Sequence, residues 1–474
     1  MTGIVSYGAY IPYFRLRKDT VSAAFGKHGG KGAKAVAYCD EDSITMAVAA
    51  AIDATRAERE DLAAVYFASA SSPYREKQAA TEITAALDLD LHVRTADFAN
   101  TLRAGSAAML SAFDAVALGG KKVLVTMSEC RLGAPDGKNE LELGDGAAAL
   151  VLGSEDLLAV LDGSVSLSRD CYDMWRGDED TFVRDWDVRF ANTQLYTPLV
   201  TKAVAELLGK LAVQPSDFSK VVFYAHNDKN RAGLALKLGF TPEQLVPSMY
   251  GEIGNTGNAA APLMLCAALD TACAGDRILF VTYGEGVDAF AFTVTDKAAA
   301  YRPVNTVAKL LAHKDESLPY GKYLKWKGLL EVEPQKRPAQ ERTAVPDHYR
   351  NCKKNHSLWG TRCTACGLPV FPPQRVCVHC HAVDKMEPYC FLNRKAKVRT
   401  FTVDGLSLSL DSPNILVALE FEGGGKMMTY LVDCKKEDVY VGMPVRPSFR
   451  KMFEANGICT YFWKAVPEKE GEQE

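Results

Sequence analysis

The sequence predicts an α/β layered fold followed by a smaller β-rich region, and three observations support this prediction. From residue 1 to about 297, short apolar runs alternate with longer segments of helical spacing. Two C-x-x-C motifs then fall within residues 363–380. Beyond them, short β-prone segments are separated by glycine-rich turns, a pattern that is typical of a small barrel.

Composition places the chain among globular proteins and excludes two classes of partner. Its 474 residues suffice for two or three domains, with 47% hydrophobic residues, 24% charged residues and a net charge of −4. So small a net charge argues against a nucleic-acid binder held by bulk electrostatics. No apolar run approaches the roughly 18 residues of a membrane span, and the N-terminal segment lacks signal-peptide features. We therefore expect a cytoplasmic protein with no nucleic-acid or membrane partner.

The first region reads as a series of buried strands and amphipathic helices. Strands are predicted at 63–70, 122–128, 220–226 and 277–284. Helices are predicted at 43–57, 76–87, 104–118, 199–212, 229–239 and 259–274. Two segments, "LGDGAAALVLG" (143–153) and "YGEGVDAFAFTV" (283–294), share a Gly-acid-Gly turn followed by an apolar strand. This repeat predicts a duplicated α/β unit, with halves at 1–160 and 161–297.

The remainder of the chain divides into three predicted parts. Residues 298–350 are highly charged and contain several prolines, which indicates a linker with a short helix. Residues 351–390 hold the two C-x-x-C motifs, and residues 391–474 contain the predicted barrel strands. The final segment, "PEKEGEQE", is predicted to be a disordered polar tail.

The clustered cysteines point to a structural zinc ion. Eight of the 13 cysteines lie between residues 352 and 459, and a reducing compartment makes metal binding more favourable than a disulfide framework. Each C-x-x-C motif can turn both sulfurs toward one ion, so the predicted ligands are Cys363, Cys366, Cys377 and Cys380. His379 and His381 flank the last cysteine as alternative ligands, and a redox dithiol pair is the competing interpretation. Four thiolates would leave no open coordination position for chemistry.

Several motifs give the chain a family resemblance. Residues 1–297 resemble the thiolase superfamily, specifically the hydroxymethylglutaryl-CoA synthase and ketoacyl-ACP synthase III branch. The matching motifs are "LGDGAAALVLG", "YAHNDKNRAGLALKLGF", "GNTGNAAAPLML" and "ILFVTYGEGVDAF". Residues 350–470 resemble the zinc-ribbon plus OB-fold family that accompanies thiolase-like proteins in acyl-CoA pathways. The resemblance implies a duplicated thiolase-like layered fold, then a zinc ribbon and a small OB-type β-barrel.

The resemblance also implies a function and three site residues. The superfamily makes or breaks carbon–carbon bonds on acyl thioesters, which implies an acyl-CoA substrate and a homodimer. His226 falls on the family histidine, and Asn255 in "GNTGN" falls on the asparagine that helps to form the oxyanion hole. Arg231 occupies the position of a basic residue that contacts the phosphates of coenzyme A.

Two positions depart from the family pattern. The segment "NTLRAGSAAM" aligns with the family's asparagine-alanine-cysteine turn and places Leu102 on the nucleophile. The family glutamate aligns near Ala70 in "ASASSPY". Leucine cannot be acylated, so a ping-pong mechanism through a thioester at this residue is excluded.

Three interpretations of the missing cysteine remain open. The first is an enzyme without a covalent intermediate, of aldol, retro-aldol or Claisen type, in which His226 and Asn255 hold the enolate oxygen. A tyrosine would then move the proton, and the candidates near motif loops are Tyr74, Tyr224, Tyr250 and Tyr283.

The other two interpretations change the nucleophile or remove the chemistry. Cys130 follows an apolar strand and could be a displaced nucleophile, although such a cysteine more often packs in the core. Glu129 and Asp145 could be acids in the cleft or carboxylates that form turns. In the third interpretation the chain is a non-catalytic partner subunit that presents its zinc/OB region to an active thiolase.

Overall fold

The computed structural model describes residues 1–56, 59, 61–301, 303–333, 344–407 and 409–468. The chain divides into two units. Unit 1 consists of residues 1–37, 42–83 and 89–320, and unit 2 consists of residues 38–41, 84–88 and 321–474.

Twenty-one strands and twelve α-helices form within the described residues. The strands before residue 300 are β1 (Gly3–Tyr10), β2 (Phe14–Arg17), β3 (Ala33–Val36), β4 (Leu62–Ala68), β5 (Arg94–Phe98), β6 (Lys122–Glu129), β7 (Gly146–Gly153), β8 (Ala159–Ser168), β9 (Met174–Trp175), β10 (Arg184–Asp185), β11 (Lys220–Phe223), β12 (Arg277–Gly284) and β13 (Gly286–Val294). The later strands are β14 (Trp359–Cys363), β15 (Pro369–Val370), β16 (Met386–Cys390), β17 (Ala396–Asp404), β18 (Asn414–Phe421), β19 (Lys426–Leu431), β20 (Pro444–Ala455) and β21 (Ile458–Pro467).

The α-helices are α1 (Lys18–Ala24), α2 (Ser43–Thr55), α3 (Ala79–Ala86), α4 (Ala104–Gly119), α5 (Lys138–Glu142), α6 (Val188–Phe190), α7 (Thr197–Leu211), α8 (Asp228–Lys237), α9 (Ala260–Asp270), α10 (Val307–Ala312), α11 (Tyr320–Trp326) and α12 (Val345–Ser357). They include all six that the sequence predicted, which correspond to α2, α3, α4, α7, α8 and α9. A π-helical turn (Ala191–Tyr196) precedes α7.

Unit 1 contains a nine-stranded sheet in which two halves repeat the same pairing. Its order is β11-β12-β13-β8-β1-β7-β6-β4-β5. In the first half, β1 pairs antiparallel with β7, β7 pairs antiparallel with β6, and β6 pairs parallel with β4. Strands β8, β13, β12 and β11 repeat this sequence of pairings in the second half. The predicted duplication is therefore confirmed, and β1 and β8 join the halves antiparallel at Gly3–Val160 and Ile4–Ala159.

Small residues let the central helix α4 approach the sheet closely. A Cβ added to Gly105 would lie 3.0 Å from the Met127 side chain and 3.4 Å from the carbonyl oxygen of Asn258. Ala108 and Ala112 on the same helix are fully buried. The helix ends at Gly119, and the next residue, Gly120, caps it in the left-handed conformation (φ 68°). This packing fixes the start of α4, beside the turn that contains Leu102.

Unit 2 contains the zinc-ribbon region and the barrel. Strands β15, β14 and β16 form a three-stranded sheet, and β17-β18-β19-β21-β20 close into a five-stranded barrel. The alternating burial of β18 follows its sequence, since Ile415, Val417 and Leu419 point inward. The small barrel that the sequence predicted is confirmed. Residues 469–474, which belong to the predicted polar tail, lie outside the described residues.

The predicted linker has more regular structure than the sequence indicated. Residues 298–350 contain α10, α11 and the first turns of α12, where the prediction was one short helix. Residues 302 and 334–343 of this stretch lie outside the described residues. Apolar side chains account for the added order, since Val307, Leu310 and Tyr323 are buried.

A buried ion cluster ties the segment 38–41 to the barrel within unit 2. Nη1 of Arg450 lies 3.1 Å from Asp40 Oδ1 and 3.0 Å from Glu41 Oε1, and the guanidinium also binds Asp433. Lys464 Nζ donates to the other oxygen of Asp40 at 2.8 Å. Burial opposes ionisation of Asp40, but the two cations hold its pKa below the ordinary value.

No helix among the described residues is both long enough and apolar enough to cross a membrane.

Candidate functional site

The imidazole of His226 is held by a carboxylate from a distant loop. His226 lies in the short turn between β11 and α8, which begins after the N-cap Asn227. Its Nε2 lies 2.8 Å from Oδ2 of Asp173, and the hydroxyl of Tyr283 donates to the same oxygen at 2.8 Å. An ionised carboxylate only accepts hydrogen bonds, so Nε2 carries the proton and Nδ1 of the neutral ring keeps its lone pair.

The pKa values around this pair follow from burial and charge. Burial opposes ionisation of Asp173, but the hydrogen bond and the charge of His226 hold the pKa of this carboxyl below its ordinary value. Burial, reinforced by the negative charge of Asp173, raises the pKa of Tyr283. The aspartate is therefore an anion at neutral pH, and Tyr283 is a neutral donor to it.

Tyr224 and Asn255 extend the hydrogen-bonded chain. The Tyr224 hydroxyl lies 3.4 Å from Nδ1 of His226 and 3.2 Å from Oδ1 of Asn255. Asn255 Oδ1 also accepts from the backbone N–H of Gly257 at 2.9 Å, while Nδ2 donates to the His226 carbonyl at 3.3 Å. Since Nδ2 has two protons, one N–H remains to donate to a ligand. Burial raises the pKa of Tyr224, so its hydroxyl stays protonated.

Three of the groups described above lie on an open cleft in unit 1. Its wall includes Asp173, His226 and Asn255, together with Tyr196 and Asn192 of the π-helical turn. Among the described residues, no partner accepts from or donates to Tyr196 Oη or Asn192 Oδ1, both of which are buried. The cleft thus offers a fixed imidazole and an amide donor to a bound molecule.

Leu102 lies in the turn between β5 and α4, where it is half-buried and packs against the core. The next residue, Arg103, is the N-cap of α4, and its Nε and Nη2 hold the buried carboxylate of Asp288 at 3.0 and 2.8 Å. Asn258 accepts from the backbone N–H of Gly105 at 2.9 Å. The helix start is therefore rigidly held, with an apolar side chain in front of it.

Glu129 is fully buried and accepts three hydrogen bonds from uncharged donors. These donors are the Ala70 backbone N–H (2.9 Å), the Ser71 hydroxyl (2.7 Å) and the Asn258 amide (2.6 Å). Arg131 lies 4.0 Å away, which is too far for a hydrogen bond. The carboxylate thus fixes the loop that contains Ala70, beside the turn that contains Asn258.

The remaining sequence candidates are dispersed. Cys130 is half-buried, and its backbone N–H donates to the Ser71 hydroxyl at 2.8 Å. Asp145 is buried and accepts from the Ala37 backbone N–H at 2.7 Å, as a turn-forming carboxylate does. Tyr250 is bonded to the Ala225 carbonyl at 2.7 Å, whereas Tyr74 is half-buried with the Lys77 ammonium 5.6 Å from its ring centroid. Of the four tyrosines, the structure brings Tyr224 and Tyr283 to the histidine.

The guanidinium of Arg231 is bonded inside the protein. Arg231 is 3% exposed, and it donates to Asp228 at 2.8 Å and to the Val246 carbonyl at 2.9 Å. A contact between this residue and coenzyme A phosphates stays a prediction from the resemblance.

Sequence reasoning missed Asp173 and the π-helical turn. Asp173 stands in "CYDMWRG", a segment with no strand or helix pattern, and it is 53 residues from its histidine. Tyr196 and Asn192 lie just before the predicted helix at 199–212, where their spacing has no recognisable motif. No local signal could have identified these residues as parts of one site.

The four predicted zinc ligands converge in unit 2. The Sγ atoms of Cys363, Cys366, Cys377 and Cys380 all lie within 4.8 Å of one another. Two of the separations, Cys363–Cys380 and Cys366–Cys377, are 3.6 Å. A tetrahedral zinc ion with Zn–S bonds of about 2.3 Å places its sulfurs about 3.8 Å apart. The sulfur atoms therefore fit a structural zinc site, as the sequence predicted.

Comparison with family models supports this division of the chain. Residues 208–295 match the C-terminal part of 3-oxoacyl-[acyl-carrier-protein] synthase III. Residues 353–387 match the rubredoxin-like zinc ribbon domain of ChsH2, and residues 391–450 match its C-terminal OB-fold domain. The fold and the motifs thus define a thiolase-superfamily domain joined to a ChsH2-type zinc ribbon and OB-fold.

Full-length relatives identify the family. The hydroxymethylglutaryl-CoA synthase of Methanopyrus kandleri is 35% identical over 339 residues, which cover 69% of this chain and 97% of that protein. The synthase of Methanocaldococcus jannaschii is 34% identical over 341 residues, or 69% of this chain and 99% of that protein. The chain belongs to the hydroxymethylglutaryl-CoA synthase family.

Solved structures share the same fold. An HMG-CoA synthase complexed with CoA superposes with a TM-score of 0.63 at 21% identity, covering 73% of this chain and 95% of that one. MvaS in complex with 3-hydroxy-3-methylglutaryl coenzyme A gives a TM-score of 0.61 at 20% identity, covering 71% of this chain and 94% of that one.

Proposed function

We propose that unit 1 binds a coenzyme A thioester in its cleft and makes or breaks the carbon–carbon bond next to the thioester, without an acylated cysteine. The observation that carries this proposal is the hydrogen-bonded chain from Asp173 through His226 and Tyr224 to Asn255. The family relationship and the CoA named in its solved structures support the ligand class. Leu102, at the aligned nucleophile position, supports a route with no acyl-enzyme.

The proposed reaction is an aldol cleavage or its reverse. In the cleavage direction, Nδ1 of His226 takes the proton from the 3-hydroxyl of a 3-hydroxyacyl-CoA. The C2–C3 bond then breaks, C3 leaves as a carbonyl compound, and the electron pair forms the thioester enolate. Protonation of C2 by His226 completes the acyl-CoA product and restores the imidazole.

The hydrogen-bonded residues around His226 have distinct roles in this scheme. Asp173 holds the imidazole in one tautomer and stabilises its protonated form. The second N–H of Asn255 Nδ2 donates to the enolate oxygen, where the negative charge develops. Tyr224 lies between the two, within hydrogen-bond distance of both side chains.

Mass spectrometry of reaction mixtures tests the proposal. The purified protein is incubated with 3-hydroxyacyl-CoA thioesters, and with acyl-CoA plus carbonyl compounds for the reverse direction. We expect conversion by the native chain and its loss in His226→Ala. His92→Ala is the matched control, because His92 also pairs with an aspartate but is 96% exposed. Equal conversion by His226→Ala and the native protein would refute the assignment.

Two outcomes would favour the other interpretations. Loss of conversion in Cys130→Ala with retention in His226→Ala would indicate a displaced nucleophile. Binding of coenzyme A without conversion would favour a partner subunit that presents its zinc/OB region to a separate thiolase.

The homodimer implied by the family is measured in the same preparation by light scattering during size-exclusion chromatography.

A further inference from the structure

The cleft of unit 1 is lined by more negative than positive charge. Among the described residues that form its wall, Asp173, Asp185 and Glu142 provide carboxylates, and Lys138 provides the one ammonium group. The Asp173 carboxylate is an anion, and the imidazole of His226 that it holds is neutral. A ligand that enters the cleft therefore meets an excess of negative charge.

The ammonium group of Lys138 does not correct this imbalance, because a carboxylate of the same helix already pairs with it. Its Nζ lies 3.6 Å from Oε2 of Glu142, four residues further along α5. Side chains four apart are neighbours on the surface of a helix, which favours such a pair. The pair is neutral as a whole, so the charges of Asp173 and Asp185 remain without a cation among the described residues of the cleft wall.

Asp185 places an unpaired carboxylate at the cleft. It lies on β10 opposite Met174 of β9, the residue that follows Asp173 in the chain. Its side chain is exposed, and it forms no hydrogen bond or ion pair with any other residue that the structure describes. A carboxylate in this position repels a negatively charged group, whereas an uncharged group of the same shape is not repelled.

The segment that contains this carboxylate adds to the negative potential. Residues 170–187 include seven acidic and two basic residues. Both arginines are bonded elsewhere, since Nη2 of Arg176 donates to a backbone carbonyl at 2.6 Å and Nε of Arg184 donates to Asp180 at 2.9 Å. Low-dielectric walls concentrate the field of the charges that line a cleft, so a bound acyl group experiences their summed potential.

We propose that Asp185 makes the cleft selective for coenzyme A thioesters with an uncharged acyl group and disfavours acyl groups that end in a carboxylate. This proposal rests on the function proposed above, because that function places the acyl group in this cleft. The phosphates of coenzyme A lie at the far end of its pantetheine arm. Since Coulomb repulsion falls with distance, the excess charge acts chiefly on the acyl group. Asp185 is thus a specificity-determining residue and has no part in the chemical steps.

The affinities of two matched ligands test the proposal. One is a 3-hydroxyacyl-CoA that ends in a carboxylate, and the other is the same compound ending in the isosteric primary amide. Isothermal titration calorimetry uses full-length His226→Ala, in which the proposed reaction cannot consume either ligand. At low ionic strength we expect the amide to bind about tenfold more tightly, which corresponds to about 1.4 kcal/mol. Equal affinities, or tighter binding of the carboxylate, would overturn the proposal.

A substitution and a salt titration test whether the charge of Asp185 is the cause. Asp185→Asn, made in the same background, should bring the two affinities toward equality. Asp178→Asn is the matched control and should keep the full preference, because Asp178 is 85% exposed in the same segment but does not line the cleft. Raising the salt concentration from about 0.01 M to 1 M shortens the Debye length from about 30 Å to 3 Å and should reduce the preference. A preference that neither change reduces would be steric and would overturn the proposal.

Turnover of the same two ligands by the native chain separates this proposal from the proposed reaction. Conversion of both with equal kcat/KM would leave the reaction standing and refute the selectivity. Tighter binding of the amide with conversion of neither ligand would support the selectivity and refute the reaction. Absence of binding by either compound would refute both.

Discussion

Nε2 of His226 and Oδ2 of Asp173 lie 2.8 Å apart in the cleft of unit 1, although 53 residues separate them in sequence. The hydroxyl of Tyr283 donates to the same carboxylate oxygen. Asp173 therefore orients the imidazole of His226, and Tyr283 holds Asp173 in place. The ring nitrogen that faces away from the carboxylate, Nδ1, is the one that can exchange a proton.

Asp173→Asn should lower turnover by about 10²–10⁴-fold, the usual contribution of a positioned acid or base, with a much smaller change in KM. The amide keeps the shape of the side chain but can no longer stabilise a protonated imidazole. Steady-state kinetics measure the effect. The exposed pair of His92 and Asp90 provides the control, and Asp90→Asn should leave turnover unchanged. Equal kcat values for Asp173→Asn and the native chain would exclude a role for the pair.

Leu102→Cys should create a site that acetyl-CoA can acylate. The substitution places a thiol at the start of α4, where the helix dipole lowers the pKa of a cysteine. Intact mass spectrometry after incubation with acetyl-CoA should detect one added acetyl group. Leu110→Cys, at a half-buried position further along the same helix, should gain none. A folded Leu102→Cys protein without an adduct would show that the cleft does not deliver a thioester to this turn.

Removal of the ribbon zinc should unfold residues 359–390, and His379 should not be needed to bind that zinc. Zinc binds four thiolates and so holds this segment together. The pairing of the short strands β14 to β16 is too limited to do this without the metal. Chelation should therefore raise amide hydrogen exchange across this segment. His379→Ala should leave its zinc content unchanged, because four cysteines complete the tetrahedron. Loss of the ribbon zinc in His379→Ala would instead make this histidine a ligand.

Arg450→Met should lower the free energy of unfolding by about 3–5 kcal/mol, the cost of leaving buried charges unpaired. Asp40, Glu41 and Asp433 would lose their shared guanidinium while remaining inside unit 2. Urea denaturation of the full chain measures the change. Arg399→Met is the matched control, because its pair with Glu420 is exposed and should contribute about 0–1 kcal/mol.

Acid should destabilise the same cluster. The pKa of Asp40 is lower in the folded chain than the unfolded value of about 3.9. Its contribution is therefore present above the unfolded pKa and is lost as pH falls through the folded one. The free energy of unfolding, measured by urea titration from about pH 6 to pH 3, should fall less steeply in Asp40→Asn. Identical slopes in the two proteins would show that Asp40 does not contribute.

Features set by local spacing were predictable from the sequence. Cys363, Cys366, Cys377 and Cys380 lie within one short segment, so ligand geometry follows from the C-x-x-C spacing itself. The strands and helices of unit 1 likewise follow from apolar periodicity. Duplication was visible because the two Gly-acid-Gly turns preserve one pattern in both halves.

Contacts between distant segments left no such signal. Asp173 stands in an irregular stretch, and only the folded chain brings it to His226. In the sequence, Glu129 is a charged residue at the end of a strand. Its three uncharged donors come from two other places in the chain, residues 70–71 and Asn258. The linker prediction erred because prolines and charges masked the apolar residues Val307 and Leu310.

The ion cluster of unit 2 joins two segments of the chain that are synthesised at very different times during translation. Arg450 lies 410 residues after Asp40, so the segment 38–41 leaves the ribosome long before its partner exists. At about 5–20 residues per second, it waits roughly 20–80 seconds with two carboxylates and no guanidinium. The barrel therefore makes its ion pairs with a piece of chain synthesised at the start, and it can do so only near the end of translation.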